Sequence, residues 1–209
     1  MKNIQDQLIY DILIDTHNIP FENILGIYPF GSITYGTVTE RSDHDFVVIA
    51  DMDVDYIQHE SEMIDVHIMS LRRYKKMLAE HDIMALEVYF NPMPIKKVDT
   101  EFELNLPQLR RKISAVVSNS WVKAKKKVTM ETEDTWTGYK SLFHSMRILD
   151  FGIQLAESGK IGDFQRVTHL WHEILMKIQM GDDFLDIMEF YKYHQNNRAT
   201  YFRQLAPKE

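Results

Sequence analysis

Residues 31–65 constrain this chain more than any other stretch. Gly31-Ser32 is followed by a second glycine, Gly36, and then by Ser42-Asp43-His44-Asp45, which runs directly into the apolar residues 46–50. A third acid, Asp65, lies inside a later apolar segment. Asp43 and Asp45 are two residues apart, so on a strand both side chains point to one face. Residues 62–69 alternate: Ile64, Val66 and Ile68 one way, Asp65, His67 and Met69 the other. Two such strands side by side bring three carboxylates together. Three like charges at close range need a cation to remain ionised. Hard oxygen ligands suit Mg²⁺ or Mn²⁺, which hold phosphate oxygens as well as protein. The glycine permits close backbone approach, and the amides opening a following helix attract anions. The Ser32 hydroxyl adds a hydrogen bond to a terminal phosphate. Taken singly, an Asp-x-Asp is usually a turn or a strand start and a Gly-Ser is uninformative. The ordered combination points to a site for a metal-bound triphosphate.

The rest of the chain supports a mixed half followed by a helical half, an α+β protein. Ile4, Leu8, Ile9, Ile12 and Leu13 recur at helical spacing and predict a helix over 2–17, ended by Asn18 and Pro20. Residues 24–30 read as a strand, with Pro29 placing it at an edge or marking its end. A short helix or turn follows to about Thr37. Residues 45–50 read as a buried strand and 54–59 as a hairpin arm. Ser70 and Asp82 are set to cap helices over 71–80 and 83–90. Asn91-Pro92-Met93-Pro94 then breaks the chain. Beyond it the sequence predicts helices over 107–128, opened by Pro107, over 135–158 with Gly159 as C-cap, and over 163–178 and 183–204 with Gly181 between them. The domains expected are 1–105, mixed sheet and helices, and 106–209, all helical.

Composition excludes several classes. The net charge is −7 and the pI about 5.7, which argues against a protein that coats nucleic acid over its whole surface. With no cysteine there is neither a disulfide framework nor a thiolate metal site. The amino terminus is too polar for a signal peptide, and no apolar run is long enough to span a membrane. The expectation is a soluble, cytoplasmic protein with no membrane partner.

At residues 31–65 the sequence resembles the nucleotidyltransferase superfamily, whose best-known member is DNA polymerase β. Gly31, Ser32, Asp43, Asp45 and Asp65 fall in order on its signature of Gly-Ser, short helix, Asp-x-Asp and a later third acid. The sequence is most similar to the uncharacterised predicted nucleotidyltransferases of bacteria and phages, through Tyr35-Gly36-Thr37 and Ser42-Asp43. Ala85-Leu86-Glu87-Val88-Tyr89-Phe90 resembles that group's leucine-glutamate segment, and Lys140, His144 and Arg147 its Lys-x3-His-x2-Arg helix. Ile33 departs from the pattern, since many relatives carry arginine there; this bears on one phosphate contact and not on the metal site. The resemblance implies a mixed sheet flanked by helices and a helical domain closing the cleft. It implies transfer of a nucleoside monophosphate from a nucleoside triphosphate, ATP first among them, to an acceptor hydroxyl. Asp43 and Asp45 would hold two Mg²⁺ or Mn²⁺ ions, and Asp65 would complete one metal site and help deprotonate the acceptor. Gly31, Ser32, Tyr35 and Ser42 would surround the nucleotide, with Lys140, His144 and Arg147 against its phosphates.

Several residues have plainer readings. Lys140, His144 and Arg147 share one helix stripe opposite Leu142, Met146, Leu149 and Ile153, and spacing alone makes that stripe a solvated face. The lysines at 123, 125, 126 and 127 are a helix-end charge run; contact with an RNA acceptor is the less favoured reading. His169 and His172, with Glu173, look superficially like a metal pair, but no third partner is evident and Trp171 beside them points to ordinary helix packing. His67 either lines the pocket or is a satisfied neighbour of Asp65. The acceptor is left open between a protein hydroxyl, an RNA end and a small molecule, as is the oligomeric state. A catalytically silent nucleotide-binding regulator is the main alternative, and a structural metal or helical partner module leaves Gly31-Ser32 unexplained.

Overall fold

The computed structural model describes residues 4–40, 42–61, 63–130 and 134–208. The chain divides into two compact units, Met1–Glu103 and Leu104–Glu209.

The first unit is built on four strands, β1 (Ile24–Phe30), β2 (His44–Ala50), β3 (Tyr56–Glu60) and β4 (Ile64–Ser70). Their order in the sheet is β1-β2-β4-β3. β2 and β4 are parallel; β1 and β3 run antiparallel to their neighbours. Alternation along the strands gives each face its own task. Phe46, Val48, Val66 and Ile68 bury one face against Ile9, Ile12 and Leu13 of the amino-terminal helix. That helix is α1 (Ile4–Asp11), and it continues as a π-helical turn, Ile12–Thr16. The helix predicted over 2–17 thus widens at Ile12, and Ile12 and Leu13 join Ile9 in the core. Residues 2–3 of that helix, and Glu62 of the predicted strand, lie outside the described residues.

The opposite face carries Tyr28, Val47, Ile49 and Met69, all buried. The short helix α2 (Ser32–Tyr35) follows β1. Ser70 ends β4 and caps α3 (Leu71–Ala79), its side chain accepting from the Arg73 amide at 3.1 Å. Asp82 caps α4 (Ile83–Tyr89) in the same way through the Met84 amide, also at 3.1 Å. Pro29 sits on β1, an edge strand, as its missing N–H requires. The chain after the 91–94 break covers that edge. Ile27 donates its amide to the Lys96 carbonyl at 2.8 Å, and Asn91 Nδ2 donates to the Pro29 carbonyl at 2.7 Å.

The second unit holds α5 (Leu106–Thr129), α6 (Thr135–Ser158), α7 (Thr168–Met180) and α8 (Phe184–Leu205). Asn105 caps α5 through the Gln108 amide at 2.8 Å, and Pro107 occupies its first turn. Gly159 and Gly181 close α6 and α7 with positive φ. Residues 141–155 of α6 are buried apart from His144, so this helix is core on nearly every side rather than on one stripe. Leu142, Phe143 and Met146 pack there with Trp171, Ile174, Ile187 and Tyr191. The helix predicted from 163 begins at Thr168 instead. Gln154 Oε1 accepts from the Gly162 and Asp163 amides at 2.9 Å, and the Asp163 side chain accepts from the Gln165 amide at 2.8 Å. These local bonds offer the backbone an alternative to the helix. Among the described residues no helix is long and apolar enough to cross a membrane.

Candidate active site

The parallel pairing of β2 with β4 sets Asp45 directly opposite Asp65. The antiparallel pairing of β4 with β3 sets Asp65 opposite Glu60, and that of β1 with β2 sets Phe30 opposite Asp45. One row across the sheet therefore reads Phe30, Asp45, Asp65, Glu60, with three carboxylates side by side on strands about 4.8 Å apart. Like charges directly opposite one another destabilise a sheet, so this row needs either a cation or a compensating donor. Gln58 supplies part of the latter, its Nε2 donating to Glu60 at 2.5 Å and to Asp65 at 3.5 Å. Asp43 precedes β2 and is exposed.

Gly31 lies against this row. Its φ of 65° and ψ of −143° are closed to other residues. A Cβ placed there would stand 1.7 Å from Asp45 Oδ2. The Asp45 carboxylate thus fills the space a side chain would take and is held against the turn that opens α2. Ser32 follows, and its Oγ is buried with no hydrogen-bond partner among the described residues. A hydroxyl in that state is a donor awaiting an acceptor.

The turn is anchored from below. Tyr35, buried, donates its hydroxyl to Glu87 of α4, a carboxylate only 2% exposed. The Thr34 hydroxyl donates to the Pro29 carbonyl at 3.2 Å, and Gly36 closes α2 in the left-handed region. Tyr35 therefore serves the turn's position, with its hydroxyl already engaged. Ser42 is engaged too: its Oγ accepts from the Thr39 amide at 2.9 Å, and its own amide donates to the Thr39 carbonyl at 3.0 Å. That turn delivers the chain to Asp43.

His67 resolves as a satisfied neighbour that also faces the row. Its Nε2 stands 3.8 Å from Asp65, and its Nδ1 shares a hydrogen bond of 2.5 Å with the Tyr56 hydroxyl. Burial, and then the negative charge of Asp65, hold the Tyr56 hydroxyl above its ordinary pKa range.

The three basic residues of α6 differ from one another. Lys140 is exposed, its Nζ 6.0 Å from the centre of the Trp136 ring. Arg147 is only 4% exposed, packs over Phe151 and donates to His144 Nδ1 at 2.9 Å. Burial, then the positive charges of Arg147 and Lys123, push the His144 pKa down to about 3. His144 is thus a neutral imidazole near pH 7 and brings no positive charge. The solvated-stripe reading holds for Lys140 alone.

Among the described residues no three Asp, Glu or His side chains are gathered closely enough to hold a metal ion as they stand. The donor set suits one in kind. It offers hard oxygens from Asp45, Asp65 and Glu60 in one row, with Asp43 two residues before Asp45 and ahead of the strand. Sequence reasoning missed Glu60, and it quoted Glu87 within the 85–90 segment without giving it a partner. Glu60 was legible only through the hairpin register. Glu87 carried a local signal, an acid set among Ala85, Leu86 and Val88.

The sequence model of the family described as nucleotidyltransferase domain matches residues 19–131. The nucleotidyltransferase-like protein from Exiguobacterium sibiricum 255-15, a solved structure, is similar at 10% identity and a TM-score of 0.35, over 97% of this chain and 77% of that one. No curated protein matches the sequence.

Proposed function

We propose a reaction on the premise that this chain belongs to the nucleotidyltransferase domain family: transfer of a nucleoside monophosphate from a nucleoside triphosphate to an acceptor hydroxyl, with release of pyrophosphate. The observation that carries the reading is the placement of Asp45, wedged against side-chain-free Gly31 on one flank and paired with Asp65 on the other. Carboxylate oxygens beside a turn that can receive phosphate support this reading.

The acceptor oxygen attacks the α-phosphorus, and the bond from that phosphorus to the bridging oxygen of the β-phosphate breaks. A divalent cation, Mg²⁺ or Mn²⁺, bound by the carboxylates would neutralise the triphosphate and the departing pyrophosphate. Asp43 and Asp45 are its ligands in this reading, and Asp65 accepts the proton of the acceptor hydroxyl. Ser32 donates its unpartnered hydroxyl to a phosphate oxygen. Gly31 keeps a side chain out of the space between that turn and Asp45. Tyr35 and Glu87 hold the turn in register with β2.

The test is incubation with radiolabelled nucleoside triphosphates, Mg²⁺ and candidate acceptors: host protein, RNA and small molecules. Label is expected to move to one acceptor class and to vanish in the Asp43→Ala, Asp45→Ala double variant. Transfer that survives that variant would sink the site. Tight binding of triphosphate with no transfer to any acceptor would favour a regulator in its place.

A further inference from the structure

Charge in this chain is divided between its two units. Residues 1–103 carry 8 Lys/Arg against 19 Asp/Glu, a net −11; residues 104–209 carry 16 against 12, a net +4. Within the second unit one helix accounts for the excess. α5 has 24 residues and no acid, with cations at 110, 111 and 112 near its start and at 123, 125, 126 and 127 near its end. The helix dipole explains only the second group, since it favours cations at the C-terminal turn and disfavours them at the N-terminal one.

Some of these cations serve the fold. Arg110 donates to the carbonyls of Arg203 and Ala206, each at 3.2 Å, and Lys127 pairs with Asp134 at 2.8 Å. Arg111, Lys123 and Lys125 are exposed. Arg111, Ser118 and Lys125 recur every seven residues, two helical turns, so they lie nearly in line over about 21 Å of helix. Ser118 and Asn119, both exposed, set a hydroxyl and an amide between the two cationic ends. Two grooves border the same helix. One, of about 520 Å³, is lined by Asn119, Val122, Lys123, Lys126 and Lys127. The other, of about 630 Å³, is lined in part by Gln108, Arg111, Ser114 and Lys208. Neither lining includes a carboxylate.

We propose that the outer face of α5 is a docking surface for RNA. A row of cations without intervening acids matches a phosphodiester backbone. Hydroxyl and amide groups between the cations match ribose 2′-hydroxyls, which donate and accept and which distinguish RNA from DNA. A small anion would use one cation, whereas the row engages a polymer along its length. The claim concerns binding alone and stands whether or not the transfer reaction above is correct.

The full-length protein is titrated with a short labelled single-stranded RNA, without nucleoside triphosphate, across a range of salt. The RNA is expected to bind with an affinity that falls steeply as salt rises. Combined Arg111→Gln, Lys123→Gln and Lys125→Gln should weaken binding about tenfold or more and flatten the log–log salt slope by about 2. Lys125→Gln alone should flatten it by about 0.7. Lys160→Gln with Lys192→Gln, cations off this helix, should change neither. Parallel arms use DNA of the same sequence, polyglutamate, and vesicles containing phosphatidylserine. Absence of RNA binding at low salt would overturn the proposal, as would wild-type binding by both the triple and the single variant. Equal or tighter binding of DNA, polyglutamate or vesicles would overturn the assignment to RNA.

Discussion

Gly31 is the residue on which the phosphate turn depends most directly. The carboxylate of Asp45 occupies the space of the missing side chain, and the backbone there has φ of 65°. Gly31→Ala must displace either the turn or Asp45. It should cost about 1–3 kcal/mol of stability, read from urea denaturation, together with most of the transfer activity. An unchanged denaturation midpoint would show that the turn relaxes without penalty. Asp65 poses a different question, because it pairs with Asp45 yet faces solvent enough to meet an acceptor. Asp65→Asn removes the proton acceptor and keeps the shape. Affinity for the triphosphate should stay within a few-fold, while kcat falls about 10²-fold or more. A loss confined to affinity would assign Asp65 to the nucleotide rather than to the acceptor.

At the scale of elements, the site is a strand pairing held against a turn, and α4 fixes that turn through Tyr35 and Glu87. Tyr35→Phe leaves the buried Glu87 carboxylate short of one donor, which should cost about 1–3 kcal/mol and raise KM for the triphosphate. Glu87→Gln keeps an acceptor for the Tyr35 hydroxyl and should cost less; the reverse order in denaturation experiments would remove the Tyr35–Glu87 bond as the anchor. Much of this unit was legible in the sequence, since period-2 burial is local. The alternation around Asp65 put it on the polar side of its own strand and the apolar run marked the strand behind Asp45; that the two acids share a face followed only once β2 and β4 paired. Capping was equally local, and Ser70 and Asp82 accept from amides three and two residues on. What was not legible depended on distant partners. Glu60 enters the acidic row only because β3 folds back beside β4. Tyr35 finds Glu87 fifty-two residues away. The shift of the predicted helix start from 163 to Thr168 follows from the Gln154 side chain, which no local propensity encodes. In the helical unit, one stripe of α6 was expected to be solvated. Packing on nearly all sides buried Arg147 instead, and left Lys140 outside.

For the molecule as a whole, stability should respond to acid through a group that carries no charge at neutral pH. His144 titrates near its ordinary 6.5 in the unfolded chain but only at about 3 in the folded one, because burial and the neighbouring cations Arg147 and Lys123 oppose its protonation. Between these values the unfolded state binds the extra proton, so folding stability falls as pH drops through that window and is restored as pH rises above 6.5. From pH 7 to pH 5 the loss attributable to this residue is about 2 kcal/mol. Other groups titrate over the same range, and their contribution cancels when wild type is compared with His144→Gln, which cannot protonate. Urea denaturation at the two pH values should show the wild type losing about 2 kcal/mol more than the variant. Equal losses would mean that His144 reaches solvent, gains its proton in the folded state and stands beside Arg147 as a second positive charge. The same measurement therefore decides whether this part of α6 holds one cation or two at acidic pH, beside an Arg147 that is itself buried.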